Sequence, residues 1–211
     1  MHTLLINAHP NPHAPASFSN RLLHHLHTRL PAHSTQRLAL YESAIPELDA
    51  EMMEISRRRR AGEALNDRQQ ASAARSAELL AQFKAAQRVV ISLPLHNFNV
   101  PARLKSYVDN IAVPGQTFRY TADGQVQGLM NDGRKLLVIQ ASGSVCSGRH
   151  AQQGAEPSIA FLQTVFQEFM GFDGFELLRA EGTQTAGLDP ERILAEAKQR
   201  LDALLPAFLA A

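Results

Sequence analysis

Residues 3–20 read TLLINAHPNPHAPASFSN and join an apolar run to the start of a helical pattern. The first six residues are mostly apolar, as is typical of a strand covered on both faces of a sheet. The pattern from Ser17 or Ser19 to Arg29 has the apolar spacing of an amphipathic helix. A strand, a turn and a helix in this order predict an α/β unit, in which the loop at residues 9–20 lies where such sheets bind ligands.

The rest of the chain repeats this alternation. Further strand-like runs lie at residues 36–40, 88–93, 135–141 and 175–180. Helical patterns cover residues 67–87, 101–111, 157–170 and 190–209, the last with Asp189 as its N-cap. Strands that alternate with helices indicate parallel pairing, because a parallel crossover needs a dozen or more residues. We therefore predict a three-layer α/β/α fold with a five-stranded parallel sheet, in one domain over residues 1–211. Periodicity alone leaves the strand order open.

Two stretches fit this scheme less well. Residues 42–66 form a long connection that carries four consecutive arginines, Arg57 to Arg60. Such a run is typical of a solvated helix face, with a specific phosphate site as the alternative. Residues 114–133 contain Asp123-Gly124 between strand-like residues, which predicts a β-hairpin.

Composition narrows the class of protein. Of 211 residues, 45% are hydrophobic and 19% charged, with a net charge of +1, so we expect a globular protein without a nucleic-acid partner. The single cysteine, Cys146, excludes a disulfide within the chain, disfavours a metal site built on thiolates and is expected to be a bystander thiol. No apolar stretch reaches the roughly 18 residues of a membrane span, and no signal-peptide pattern is present. We therefore expect a cytoplasmic location and no membrane association.

The loop at residues 9–20 has the chemistry of a phosphate site without fixed charge. It matches neither the P-loop nor the dinucleotide-binding glycine pattern. It contains no lysine or arginine, and the first fixed positive charge after it is Arg21. Ser17 and Ser19 supply hydroxyl donors where unpaired helix-start N–H groups and the helix dipole stabilise an anion. His9 is a further candidate contact to a phosphate. The alternative is that Ser17 only caps its helix.

Two other loops are expected at the same edge of the sheet. The loop at residues 94–101 offers amides from Asn97 and Asn99, an imidazole from His96 and apolar contact from Phe98, which suits a planar heterocycle. Alternatively, this loop binds no ligand and is only a turn, in which the asparagines are present because they tolerate unusual backbone angles. The loop at residues 141–148 consists mainly of small residues that permit close approach to a ligand, or that form a flexible linker.

Together these segments resemble the flavodoxin-like FMN-dependent NAD(P)H:quinone oxidoreductases and azoreductases, over nearly the whole chain. The resemblance rests on Ser17-Phe18-Ser19-Asn20, Leu95-His96-Asn97-Phe98-Asn99 with Leu104-Lys105-Ser106-Tyr107, Gly115-Gln116-Thr117-Phe118-Arg119-Tyr120-Thr121, and Glu181-Gly182. It implies a flavodoxin-like sheet of order 2-1-3-4-5, a homodimer, bound FMN, and NADH or NADPH as the electron donor. It further implies a ping-pong cycle that reduces quinones, azo compounds or both by two electrons.

The resemblance also assigns residues. FMN-binding residues are His9, Ser17, Phe18 and Ser19 near the phosphate, Pro94, Leu95, His96, Asn97 and Phe98 along one edge of the ring, and Ala141, Ser142, Gly143 and Ser144 along the other. His96 and Asn97 are the candidate catalytic residues, with a hydrogen-bonding wall as the alternative role of His96. Phe118 is expected in the substrate pocket.

Three positions depart from the azoreductase pattern. His9-Pro10 replaces a serine, His96 replaces a tyrosine, and Ala141-Ser142-Gly143-Ser144 replaces Ser-Arg-Gly-Gly. These changes leave the acceptor and the choice between NADH and NADPH open. The alternative functions are a flavodoxin-type electron carrier, a flavoprotein regulatory subunit and, with least support, a hydrolase.

Overall fold

A computed structural model describes residues 2–147 and 157–210 of the chain. Five strands form its main sheet: β1 (Thr3–Asn7), β2 (Thr35–Ala39), β3 (Arg88–Pro94), β6 (Lys135–Ala141) and β7 (Gly174–Ala180). All neighbours are parallel, and the order is β2-β1-β3-β6-β7. Counted among these five strands, this is the predicted order 2-1-3-4-5. The loop after β6 was expected to extend to residue 154, and its residues 148–154 lie outside the described residues.

The apolar runs become central strands because helices cover both faces of the sheet. Successive side chains of a strand point to opposite faces, so Leu4 and Ile6 enter one core cluster and Leu5 enters the other. The first cluster is completed by α3 (Asp67–Ala85), α4 (Ala102–Ile111) and α5 (Pro157–Gln163). The second is completed by α1 (Phe18–His27) and α6 (Pro190–Leu209). The predicted three-layer fold is confirmed.

Helix ends follow local capping rules. Asp189 caps α6 as predicted, because its carboxylate accepts the Glu191 N–H at 3.0 Å. Asn66 and Gln69 form a capping box at the start of α3. The expected helix over residues 157–170 continues past α5 as a π-helical segment, Thr164–Phe169. Within the described residues, no helix is long and apolar enough to span a membrane.

The long connection contains a helix of its own, α2 (Ala50–Ala61). Arg57 and Arg58 pair with Glu54, and Arg57 also pairs with Glu63. These hydrogen bonds, that to Arg57 first, lower the pKa of the Glu54 carboxyl to about 2. Only Ile55 of this helix is buried. The prediction that the arginine run is a solvated helix face is confirmed.

The predicted hairpin is also present. It consists of β4 (Phe118–Tyr120) and β5 (Val126–Gly128), which pair antiparallel around a turn with Gly124 at φ 81°. A Cβ on Gly128 would lie 2.5 Å from the backbone of Met170 and Gly171, so only glycine allows the hairpin to pack this closely on the end of the π-helical segment.

Candidate functional site

A cleft of about 760 Å³ lies beyond the carboxyl ends of β1, β3, β6 and β7. In open parallel sheets, ligands bind at this edge, where the strand order changes direction between β1 and β3. Four loops and the starts of α1 and α6 form its walls. Its lining residues are His9, Ala16, Ser17, Phe18, Ser19, Arg21, Pro94, Leu95, His96, Ala141, Ser142, Gly143, Thr183, Gln184, Pro190 and Glu191.

The start of α1 presents unused donors to this cleft. Ser17 is the N-cap, and its Oγ accepts the Asn20 N–H at 3.3 Å and lies 3.1 Å from Oγ of Ser19. The backbone N–H groups of Phe18 and Ser19 donate to no acceptor among the described residues. Two orphan N–H groups and two hydroxyls at the positive end of a helix dipole form an anion site. The capping role of Ser17 and an anion-binding role are therefore compatible.

Two asparagines hold the loop after β1 in shape. The side-chain amide of Asn20 donates to the carbonyls of Asn11 and Ala14 at 3.0 and 3.2 Å. Its carbonyl accepts from the Asn7 amide at 3.0 Å, and Oδ1 of Asn7 accepts the His9 N–H at 2.9 Å. The loop is thus fixed by neutral hydrogen bonds that reach back to the last residue of β1.

His9 is held in one tautomer. The Asn11 N–H donates to its Nδ1 at 3.0 Å, so the neutral ring carries its proton on Nε2. Burial lowers the pKa of His9 below its ordinary value, and the nearby His96 lowers it further. His9 therefore lines the cleft as a neutral hydrogen-bond donor near neutral pH.

The loop after β3 contains a strained turn. Asn97 and Phe98 have φ angles of 49° and 62°, and the Asn99 N–H donates to the His96 carbonyl at 3.0 Å. Two consecutive positive φ angles define a type I′ turn, for which asparagine and glycine are the usual residues. Phe98 is 59% exposed, so burial of its ring does not compensate for this backbone conformation. Strain of this kind is concentrated at functional sites.

The loops after β6 and β7 are hydrogen-bonded to each other. The N–H groups of Gly182, Thr183 and Gln184 donate to the carbonyls of Ser144, Ser142 and Gly143. Gly182 has φ 79°, and a Cβ there would lie 2.6 Å from Leu188. The paired loops form one wall of the cleft.

Among the described residues that line the cleft, Arg21 alone carries a fixed positive charge, and it is already paired. The Arg21 guanidinium binds Glu191 through two hydrogen bonds of 2.7 Å, which joins α1 to α6. The hydrogen bond to Glu191 raises the pKa of Arg21, and the same contact lowers the pKa of Glu191. Arg21 also lies 5.6 Å from the Phe18 ring centre.

The structure brings most of the predicted cofactor residues together. Ten of the 13 line the cleft: His9, Ser17, Phe18, Ser19, Pro94, Leu95, His96, Ala141, Ser142 and Gly143. Asn97, Phe98 and Ser144 lie in the adjoining turns without lining it. Phe118 is buried in the hairpin, 5.0 Å from the Phe169 ring centre and 5.5 Å from that of Tyr120. Cys146 is buried, and its N–H donates to Glu181.

Sequence reasoning missed part of the cleft. Thr183, Gln184 and Glu191 belong to the loop after β7 and the start of α6. The rule that ligands bind beyond the carboxyl ends of parallel strands applies to this strand as well, so the signal was available at Glu181-Gly182.

Comparison with known proteins agrees with this geometry. A family model described as flavodoxin-like fold matches residues 1–205. The chain belongs to this family.

Two relatives and one solved structure are similar to this chain over nearly its whole length. The FMN-dependent NADH:quinone oxidoreductase 1 of Lactiplantibacillus plantarum is 42% identical over 211 residues, which cover 98% of each chain. Its namesake in Bacillus cereus is 40% identical over 200 residues and 92% of each chain. An FMN-dependent NADH-azoreductase from Bacillus anthracis in complex with FMN has a TM-score of 0.92 and 34% identity, with 100% of both chains covered.

Proposed function

We propose that this protein is an FMN-dependent NADH oxidoreductase that reduces quinones and azo compounds. The observation that carries the proposal is the convergence of helix-start donors and strand-end loops in one cleft of about 760 Å³. The relatives and the solved structure with the same fold are named for FMN, NADH, quinones and azo reduction. Their names favour NADH over NADPH, which the sequence left open.

The residues of the cleft fit FMN. The Phe18 and Ser19 N–H groups, with the hydroxyls of Ser17 and Ser19, are the donor set that a terminal phosphate needs. His9 adds a neutral N–H donor. Leu95 and His96 on one side, and Ser142 and Gly143 on the other, would hold the two edges of the ring. The cleft volume lies within the roughly 300–1,000 Å³ of small-molecule sites.

Bound FMN would supply two-electron transfer between NADH and the acceptor, and we propose that the two react in turn in a ping-pong cycle. The protein would position the cofactor and stabilise the charge on its ring. The type I′ turn fixes the backbone N–H groups of residues 97–99, of which we propose that of Asn97 as a donor to the ring. Donors of residues 142–144 would act on the opposite edge. Phe98 and Phe118 remain proposed ring and substrate contacts.

His96 is proposed as the proton donor to the reduced acceptor. Its side chain is exposed at the mouth of the cleft, where an acceptor could reach it. The test is His96→Gln, which keeps hydrogen bonding but cannot transfer a proton near neutral pH. We expect quinone reduction to slow and to lose its dependence on pH. A variant that keeps both the rate and the pH profile would assign His96 to a hydrogen-bonding wall.

Cofactor identity and kinetics together test the function. Heat-denatured protein should release FMN, identified by mass, at about one per chain. The holoenzyme should oxidise NADH with benzoquinone and with an azo dye, and double-reciprocal plots at several acceptor concentrations should be parallel. Release of no flavin, or a flavin that NADH does not reduce, would reject the proposal. The second result would favour an electron carrier that depends on a separate reductase.

Two finer points rest on the resemblance and composition. We propose a homodimer, which light scattering of the eluted holoenzyme would show as twice the mass of the chain. Exposed apolar side chains support it, among them Met53, Phe98 and Tyr120, at 65%, 59% and 62% exposure.

We also propose a cytoplasmic location, which fractionation of cells would test. Co-purification with a membrane protein would instead favour a regulatory subunit.

A further inference from the structure

A second cavity lies on the other side of the loop after β1, and its lining is basic. It has a volume of about 410 Å³ and is formed by that loop, α1, β2 and α6. Six basic side chains line it: His13, Arg21, His24, His27, Arg37 and Lys198. None of the described lining residues is Asp or Glu. We call it the basic cavity.

Four of these side chains contribute no hydrogen bond or ion pair to the part of the fold that the structure describes. Arg21 pairs with Glu191, and His13 pairs with Glu42 at 2.6 Å. By contrast, the side chains of the other four form no hydrogen bond or ion pair with any residue in 2–147 or 157–210. These four are His24, His27, Arg37 and Lys198. They come from three different elements and converge on one cavity.

Within the described residues no carboxylate forms an ion pair with these four side chains, although the charge of Lys198 helps to lower the pKa of Glu191. Burial lowers the pKa of His27, and the neighbouring Arg37 and His24 lower it further. The helix dipole favours histidines in the last turn of α1, so it explains the presence of His24 and His27 without a ligand. It does not account for Arg37 on β2 or Lys198 on α6, because both belong to other elements.

We propose that the basic cavity binds a small phosphorylated anion, at a site separate from that of the FMN phosphate. A guanidinium and an ammonium are the side chains that recognise phosphate, and two imidazoles add directional donors. The volume suits a small ligand. The chain as a whole carries only +1, and the cations are gathered in a cavity, which favours a small anion over a nucleic acid.

The test uses the FMN-saturated holoenzyme, so that the first cleft is filled, and inorganic pyrophosphate as the probe. We expect one saturable binding event per chain by calorimetry. The ring signals of His24 and His27 should shift in ¹H–¹⁵N NMR spectra. Arg37→Ala with Lys198→Ala should weaken binding by about a hundredfold, roughly tenfold for each charge removed. Unchanged FMN absorbance will show that this variant is folded.

Two controls separate the site from general charge and from the first cleft. Arg59→Ala with Arg60→Ala removes the same charge from the exposed face of α2 and should leave binding unchanged. Ser17→Ala with Ser19→Ala, measured at an FMN concentration high enough to saturate this weaker-binding variant, should also leave pyrophosphate binding unchanged. The proposal is overturned by the absence of saturable binding, by equal loss in either control, or by binding of a short single-stranded oligonucleotide but not of pyrophosphate.

Discussion

The loop after β1 lines the cleft and the turn after β3 adjoins it through His96, but the two are held in place differently. The first is relaxed and is supported by side-chain hydrogen bonds from Asn7 and Asn20. The second is short and carries two residues at positive φ, Asn97 and Phe98. From this comparison we propose a division of roles, in which the first loop retains the cofactor and the strained turn sets the position of the reacting ring.

The largest expected effect is on the relaxed loop. Asn20→Ala removes three hydrogen bonds and leaves the Asn7 amide without its acceptor in a partly buried site, while the carbonyls of Asn11 and Ala14 keep one backbone donor each. We expect a loss of about 1–3 kcal/mol in the free energy of unfolding and weaker FMN retention, since an unsatisfied buried group costs about that much. Urea denaturation of apo and holo protein measures both.

Asn131→Ala is the matched control, because this exposed side chain forms no hydrogen bond with a described residue. Its unfolding free energy should change by less than about 0.5 kcal/mol. If Asn20→Ala behaves like Asn131→Ala, the asparagine scaffold does not hold the loop.

A smaller effect of opposite sign is expected in the strained turn. Phe98→Gly keeps the type I′ geometry and removes the cost of a bulky residue at φ 62°. We expect the free energy of unfolding to rise by about 0.5–1 kcal/mol, while NADH oxidation with benzoquinone slows because the ring contact is lost. Denaturation and steady-state assays are the measurements.

Gly124→Ala provides the reverse experiment in the hairpin. It places a side chain at φ 81° and should destabilise the protein by about 1 kcal/mol without changing turnover. No gain in stability for Phe98→Gly would mean that the turn stores no strain.

The smallest effect is a dependence of stability on pH. The fold lowers the pKa of His9 from 6.5, so below that value the unfolded chain binds more protons than the folded one. The stabilising contribution is therefore present above pH 6.5 and is lost as the pH falls through the folded pKa. His9→Gln should show a weaker loss of stability in acid than the parent, measured by thermal melting between pH 7.5 and 5 (roughly the range in which histidine titrates).

His27 shifts in the same direction, so His27→Gln is needed to separate the two contributions. An acid response that survives unchanged in His9→Gln but disappears in His27→Gln would locate the effect in the basic cavity.

The sequence predicted the sheet well, because its central strands are covered on both faces and therefore read as continuous apolar runs. It predicted a helix face at the arginine run but not the bounds of α2, since only Ile55 of this helix is buried and a pattern of apolar positions is absent. The cap residues Asp49 and Gly62 were its remaining signals.

The geometry of the site could be predicted from the sequence less well than the sheet. Asn-Gly is the usual sequence signal of a type I′ turn, whereas here Asn97-Phe98 adopts it, between Pro94 and Pro101. The pairing of Arg21 with Glu191 joins residues 170 positions apart, which no local pattern encodes. The loops were predicted from chemistry, whereas their mutual contacts depend on the packing of the whole fold.

The central claim is that neutral donors at the start of α1 anchor the FMN phosphate, although a paired arginine is nearby. The measurement is the ratio of FMN to riboflavin affinity, by fluorescence titration of apoprotein. Ser17→Ala with Ser19→Ala should reduce this ratio by about tenfold to a hundredfold, as expected for lost hydrogen bonds to a charged group. Arg21→Gln with Glu191→Gln, which removes the ion pair without changing the net charge, should leave most of the ratio intact. Loss of the ratio in the arginine variant, with retention in the serine variant, would contradict the account.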